Sequence, residues 1–207
     1  MAGVWTAPTT RATDDIVTSA QWNELLGGTG ALLYLYESLR AKYKAVTQQF
    51  TTNTTYADIT ATSGNLAFDI GANETWFVRY FLPLAFGGTG GAKAQLTGPA
   101  SPTRVSYITT GDYRTRTEHD VTTPSDTYTT IRSALQRGAS TSFGAVLGAI
   151  SDVGGTAAGL VDGEVVIEVM IVNGSTAGTV TLQGAQNSSN STTDFGAGCR
   201  MLAERIG

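Results

Sequence analysis

The chain contains one histidine, and it is the first place to look for chemistry. His119 stands between Glu118 and Asp120, with Asp112 close by in sequence. Acid–base catalysis needs such a group within hydrogen-bond reach of a nucleophile. In a strand, however, Glu118 and Asp120 share one face and His119 points to the other, so adjacency builds no dyad. Cys199, the single cysteine, follows Gly196-Ala197-Gly198 with no histidine nearby in sequence. Its alternating apolar neighbours predict a small buried side chain. The run Gly87-Gly88-Thr89-Gly90-Gly91 precedes Lys93, but Ala92 and Ala94 flank that lysine and no helix signal follows. A phosphate-gripping loop needs Gly-x4-Gly-Lys-Ser/Thr opening a helix, so a hairpin loop is the expectation here. Asp14 with Asp15, and Asp58 with Asp69, offer carboxylates without an Asp-x-Asp-x-Asp-Gly loop. Calcium would enter only as an ion shared between strands or subunits. No catalytic residue, metal site or cofactor is expected.

Composition narrows the remaining classes. The 207 residues are 41% hydrophobic and 14% charged, with 13 Lys and Arg against 17 Asp and Glu. A net charge of -4 leaves no dense cationic surface, so no nucleic-acid partner is expected. One cysteine rules out an intrachain disulfide framework. Threonine is the commonest residue and there are 25 glycines. Hydroxyls and amides therefore carry much of the solubility, which suits a surface made for partners. The start, Met1 to Pro8, has neither a basic stretch nor an apolar run, and no export signal is expected. The longest apolar stretch, Val165 to Val172, is broken by Glu168 and is too short to span a bilayer, so no membrane partner is expected.

The elements fall into three stretches. Residues 1–17 read as an extended arm, with Trp5 as a large aromatic that has nothing of its own to pack against. Residues 18–44 read as helical. Thr18 and Gln21 form a capping box, Val17 is a staple, and Trp22, Leu25 and Leu26 share a face. A second helix is predicted over about 31–43, with Leu32, Leu35, Tyr36, Leu39 and Tyr43 in one stripe. That stripe either packs on the chain's own β domain or docks on other subunits. From 45 to 207 the period is two. Leu66, Phe68 and Ile70 alternate, and Trp76, Val78 and Tyr80 oppose Phe77, Arg79 and Phe81. Both faces of that strand look partly buried, which marks a central strand or a subunit interface, and Pro83 is expected to end it or place it at an edge. Val165, Ile167, Val169 and Ile171 share one face of the clearest late strand. Asn173-Gly174 predicts a reversal that pairs Thr179 to Gln183 antiparallel with it. Eight to ten short strands with Gly, Pro and Asn punctuation predict an all-β antiparallel sandwich or barrel.

Trp5, Pro8, Val17, Thr18, Trp22 and Asn23 form a tryptophan–proline arm followed by a Val-Thr-x-x-x-Trp-Asn helix start. This opening resembles that of tailed-bacteriophage virion structural proteins. The stretch Asn65 to Pro99, through Leu66-Ala67-Phe68-Asp69-Ile70, Ala72-Asn73-Glu74-Thr75-Trp76 and Ala94-Gln95-Leu96-Thr97-Gly98-Pro99, resembles a β-rich minor head or tail protein of such phages, as does the close at Gly198 to Ile206. The resemblance implies a jelly-roll-like β-sandwich, akin to the tumour-necrosis-factor and C1q fold, behind an extended arm and short N-terminal helices. It implies a homo-oligomer, with a trimer favoured, and a virion protein assembled in the host cytoplasm. The major capsid protein or tail proteins of the same virion would be its partners. In that setting Trp5, Trp22, Leu25, Leu26, Leu32, Leu35, Tyr36 and Leu39 are the expected attachment residues. Trp76, Phe77, Val78, Tyr80 and Phe81 are the expected core and subunit contacts. A capsid decoration or head-fibre protein is the leading expectation and a tail protein (tube-decorating or baseplate) the alternative. A carbohydrate-binding receptor module, with Trp76 or Tyr107 stacking on sugar rings, is the third.

Overall fold

The computed structural model of the chain describes residues 39–51, 54–62, 64–87, 91–116, 128–132, 136–150, 160–187 and 192–207. Ala41–Gly207 is one compact unit; of the other, Met1–Arg40, only Leu39 and Arg40 are described. The expected arm, the helical signals up to residue 38, and Trp5, Trp22, Leu25, Leu26, Leu32, Leu35 and Tyr36 all lie outside the described residues.

The described residues form an all-β, antiparallel structure of two main sheets packed as a β-sandwich. Its axis is a pair of 13-residue strands, β7 (Thr75–Gly87) and β13 (Leu160–Val172), joined in register along their whole length. The strand pattern explains why. Val165, Ile167, Val169 and Ile171 of β13 are fully buried, and so are Val78, Tyr80 and Leu82 of β7. Burying each such side chain contributes roughly 1.5–3 kcal/mol, and period two delivers all of them to one face.

Beside these lie β16 (Arg200–Arg205) on β7, and β9 (Arg104–Arg116) on β13. The strands β10 (Tyr128–Arg132) and β11 (Gln136–Ser140) share the outer edge of β9, and β1 (Leu39–Tyr43) lies next to β16. Further along β7, its neighbour changes to β15 (Thr192–Phe195), which in turn pairs with β2 (Gln48–Thr51). The smaller sheet runs β12 (Ala145–Ile150), β8 (Ala92–Thr97), β14 (Gly178–Gln186), β3 (Ala57–Asp58), with β6 (Ala67–Ile70) also on β14. A small pair, β4 (Thr60–Ala61) and β5 (Gly64–Asn65), stands apart. Between the main sheets, Phe68, Ile70, Leu96, Val180 and Leu182 from one side meet Trp76, Tyr80, Ile167 and Met201 from the other.

Several expectations change. Leu39–Tyr43 is a strand, so the helix predicted to Tyr43 does not cover its last five residues. These residues also alternate, with Arg40 and Lys42 against Leu39, Ala41 and Tyr43, and a place beside β16 selects that period over the helical one. Pro83 neither ends β7 nor marks an edge. It falls between the residues paired with β16 and those paired with β15, where its missing N–H costs no ladder bond, and its carbonyl accepts from Gly196 N at 2.8 Å. Strand β14 does not pair with β13, because the 173–177 connection crosses to the other sheet. Asn173 fixes that crossing: its Nδ2 donates to Gly71 O at 2.7 Å and to Thr176 O at 2.8 Å. Likewise β7 and β8, on either side of the glycine run, belong to different sheets and do not pair as a hairpin, and Lys93 lies in a strand where a phosphate-gripping loop would open a helix.

Candidate interaction surface

Turning β7, β13, β16 and β9 over exposes the side of the large sheet that the core does not use. Register sets its residues in rows across the strands. One row reads Leu202, Arg79, Glu168, Ile108; the next reads Glu204, Phe77, Met170, Ser106; the row on the other side reads Arg200, Phe81, Val166, Thr110. Leu202, Ile108 and Met170 are 42%, 44% and 44% exposed, too much for core residues of this size. Phe77, Phe81 and Val166 are half-buried. In the middle Arg79 Nη2 meets Glu168 Oε1 at 2.6 Å, with Nε donating to the same oxygen at 2.8 Å. The two guanidinium groups also lie over rings: Arg79 over Phe77, and Arg200 over Phe81 with its carbon 4.2 Å from the centroid. The result is a contiguous patch of aromatic and aliphatic groups around one ion pair. Single exposed apolar residues are ordinary, but clustered ones mark an interaction surface.

The outer side of the small sheet has the opposite character. Gln95 Nε2 donates to Gln183 Oε1, Gln183 Nε2 to Asp58 Oδ1, and Asn65 Nδ2 to Asp58 Oδ2. Thr179 donates to Asp69, and Lys93 caps the Tyr56 ring at 4.8 Å. This amide and hydroxyl lattice satisfies itself and is suited to water.

The structure separates the residues expected to act together. Of the five core and subunit candidates, Trp76, Val78 and Tyr80 face the core, while Phe77 and Phe81 face outward on the patch. Leu39, of the attachment set, is 49% exposed in β1. Trp76 is buried, with its indole N–H donating to Glu74, and offers no ring face to a sugar, while Tyr107 is half-buried with its ring against Gly138. Asp58 and Asp69 sit opposite Gln183 and Thr179, four residues apart along β14, about 13 Å at strand spacing, so they share no ion. No group of three metal-ligating side chains occurs among the described residues. His119, Glu118, Asp120, Asp14 and Asp15 lie outside them.

Two polar clusters brace the sandwich. Glu74 accepts from Gly71 N (2.6 Å) and Trp76 Nε1 (2.9 Å) through Oε2, and from Arg205 Nη1 (3.0 Å) through Oε1. Burial alone would raise its pKa; the Trp76, Gly71 and Arg205 donors together outweigh this and hold it below the usual range. At the other end, buried Lys44 donates Nζ to Thr60 O and Oγ1, each at 3.0 Å, and its backbone is bonded to Cys199 O and Gly198 N. Burial lowers the Lys44 ammonium against a smaller opposing effect of Cys199. Burial likewise pushes the Cys199 thiol up to about 12, so at neutral pH it is a protonated, unreactive group.

Met170, Ile108, Leu202 and Val166 were not singled out by sequence. The available signal is their interleaving with charged residues on the side away from the core: Val166 and Met170 flank Glu168 in β13, and Leu202 stands between Arg200 and Glu204 in β16.

The fold and surface define an antiparallel β-sandwich with one apolar and one polar outer side. No protein-family model matches the chain, and no curated protein matches it. Among solved structures, a structure of infectious bursal disease virus, Gx strain, aligns over 81% of this chain and 39% of that chain, at 10% identity and a TM-score of 0.19. The chain thus spans well under half of that protein's length. An overlap of this size is a weak likeness to a viral structure.

Proposed function

We propose that this chain is a structural component of a bacteriophage particle, a capsid decoration or head-fibre protein whose β-sandwich is an assembly module. The observation that carries the reading is the contrast between the two outer sides. The patch around Arg79 and Glu168 is suited to a protein neighbour, and the glutamine and threonine lattice of the small sheet to water. The phage-like opening at Trp5 to Asn23 supplies the setting, and the jelly-roll-like closure belongs to the same reading. In this reading the protein acts by association and not as an enzyme.

Mass spectrometry of purified particles, followed by electron cryomicroscopy, tests this. The chain should co-purify with the particle and account for density on it. A copy number matching the capsid lattice places it on the head, whereas three or six copies place it at the tail tip. Particles that lack the chain altogether reject the reading.

A further inference from the structure

We infer that the outer side of the large sheet pairs with the same side of a second copy of this chain, about a two-fold axis running along the strands between β7 and β13. The pairing rests on the reading of this side as an assembly surface and names its occupant.

The basis is that the pattern is complementary to itself. A rotation about that axis keeps each row opposite itself and exchanges its two halves, laying β7 of one copy over β13 of the other. Arg79 then meets the second copy's Glu168, and Glu168 meets its Arg79. Leu202 meets Ile108 at the flanks of the same row. One row along, Phe77 meets Met170 and Glu204 meets Ser106; in the other direction, Phe81 meets Val166 and Arg200 meets Thr110. Apolar groups fall on apolar groups, polar on polar, and each charge of the central pair on its opposite. An isologous contact requires this self-complementarity, and it is not a property of apolar patches in general.

The central charges form an alternating ring of four. Each Arg79 gains a second carboxylate without losing the one it holds, which is how a partly desolvated ion pair confers register and not merely affinity. Packed sheets cross at about 30°, so the axis lies within roughly 15° of the strand direction. Four strands at about 4.8 Å spacing and the five residues that the three rows span at about 3.4 Å give a patch of roughly 20 by 17 Å on each copy. Two such patches bury well under about 1,200 Å² in total, the range of weak and transient contacts, so the isolated protein should dimerise in a concentration-dependent way.

Charge-swap complementation on the full chain tests the geometry. Arg79→Glu and Glu168→Arg each break the pair inside one chain and place like charges across the axis. Each variant alone should self-associate at least ten-fold more weakly than wild type, by light scattering and sedimentation, while circular dichroism reports an unchanged fold. Mixed in equal amounts, the two should form a heterodimer. Both carboxylates of the Arg79→Glu chain then face the two guanidinium groups of the Glu168→Arg chain, although both internal pairs remain broken. A mixture that stays monomeric overturns the pairing, as does a wild-type chain that is monomeric at about 100 μM or a trimer indifferent to both reversals. Incorporation of Met170→Arg into particles separates the two levels. If the pairing fails but this variant is excluded from particles, the side is an assembly surface for another virion protein; if the variant is incorporated normally, the assembly reading fails as well.

Discussion

Glu74 shows how much one side chain can hold. It gathers the turn at Gly71, the indole of Trp76 and the guanidinium of Arg205 on two oxygens, and so fastens β16 to the start of β7. Because its native pKa is lowered, its stabilising contribution is complete above the ordinary glutamate value of 4.5 and drains away as pH falls through the lowered one. Thermal melts from pH 7 to pH 3 should show this loss in the wild type and much less of it in Glu74→Gln. At pH 7 that variant should be less stable by about 2 kcal/mol, the worth of a charged hydrogen bond. Tyr80 is the opposite case. Its ring fills the core, but its hydroxyl is fully buried with no partner among the described residues. Burial pushes that hydroxyl's pKa up and keeps it neutral. Tyr80→Phe should therefore keep or raise stability, by up to about 1 kcal/mol in denaturant titrations, because it removes an uncompensated desolvation cost. A clear destabilisation would show that the hydroxyl has a partner after all.

Elements of this fold were legible in proportion to how strictly they alternate. The buried series Val165 to Ile171 and Cys199 to Ala203 were plain from spacing alone, because a strand with one face in the core has no freedom in where it puts its apolar residues. The connections were not. Asn173-Gly174 announces a reversal, but nothing in those residues says which sheet the chain enters next; the bonds from Asn173 to Thr176 and to Gly71, the latter remote in sequence, decide it. The outer patch was half visible, since Phe77 and Phe81 stood out beside Trp76. Met170, Ile108 and Leu202 look like ordinary single apolar residues until the register sets them side by side. Close packing at the element level also yields a prediction. A Cβ at Gly184 would stand 2.5 Å from the ring of Phe195, which itself makes an edge contact with Phe50, their centroids 5.4 Å apart. Gly184→Ala should cost about 1–3 kcal/mol in unfolding free energy, since both rings must shift. An unchanged midpoint would mean that this end of the core is loosely packed.

The molecule as a whole is two-sided, and its sides should respond differently to substitution. Replacing Met170 and Leu202 by serine removes apolar surface that the fold does not need, so stability should change by less than about 1 kcal/mol. Retention on a hydrophobic-interaction column should nevertheless fall markedly. The same pair of changes leaving retention untouched would show that the outer side is not the dominant apolar surface. A further consequence comes from the length of chain between the central strands. Arg79 and Glu168 are 89 positions apart, yet they are nearest neighbours at the heart of the large sheet. On the ribosome, β7 must therefore wait, aromatic residues on both faces, while nearly ninety more residues are made before its principal neighbour exists. Pairings of such long range close slowly and leave the waiting strand open to capture by other nascent chains. Slow translation at low temperature, or a chaperone that shields the first half of the chain, should raise the soluble yield more than any stabilising substitution in the finished core.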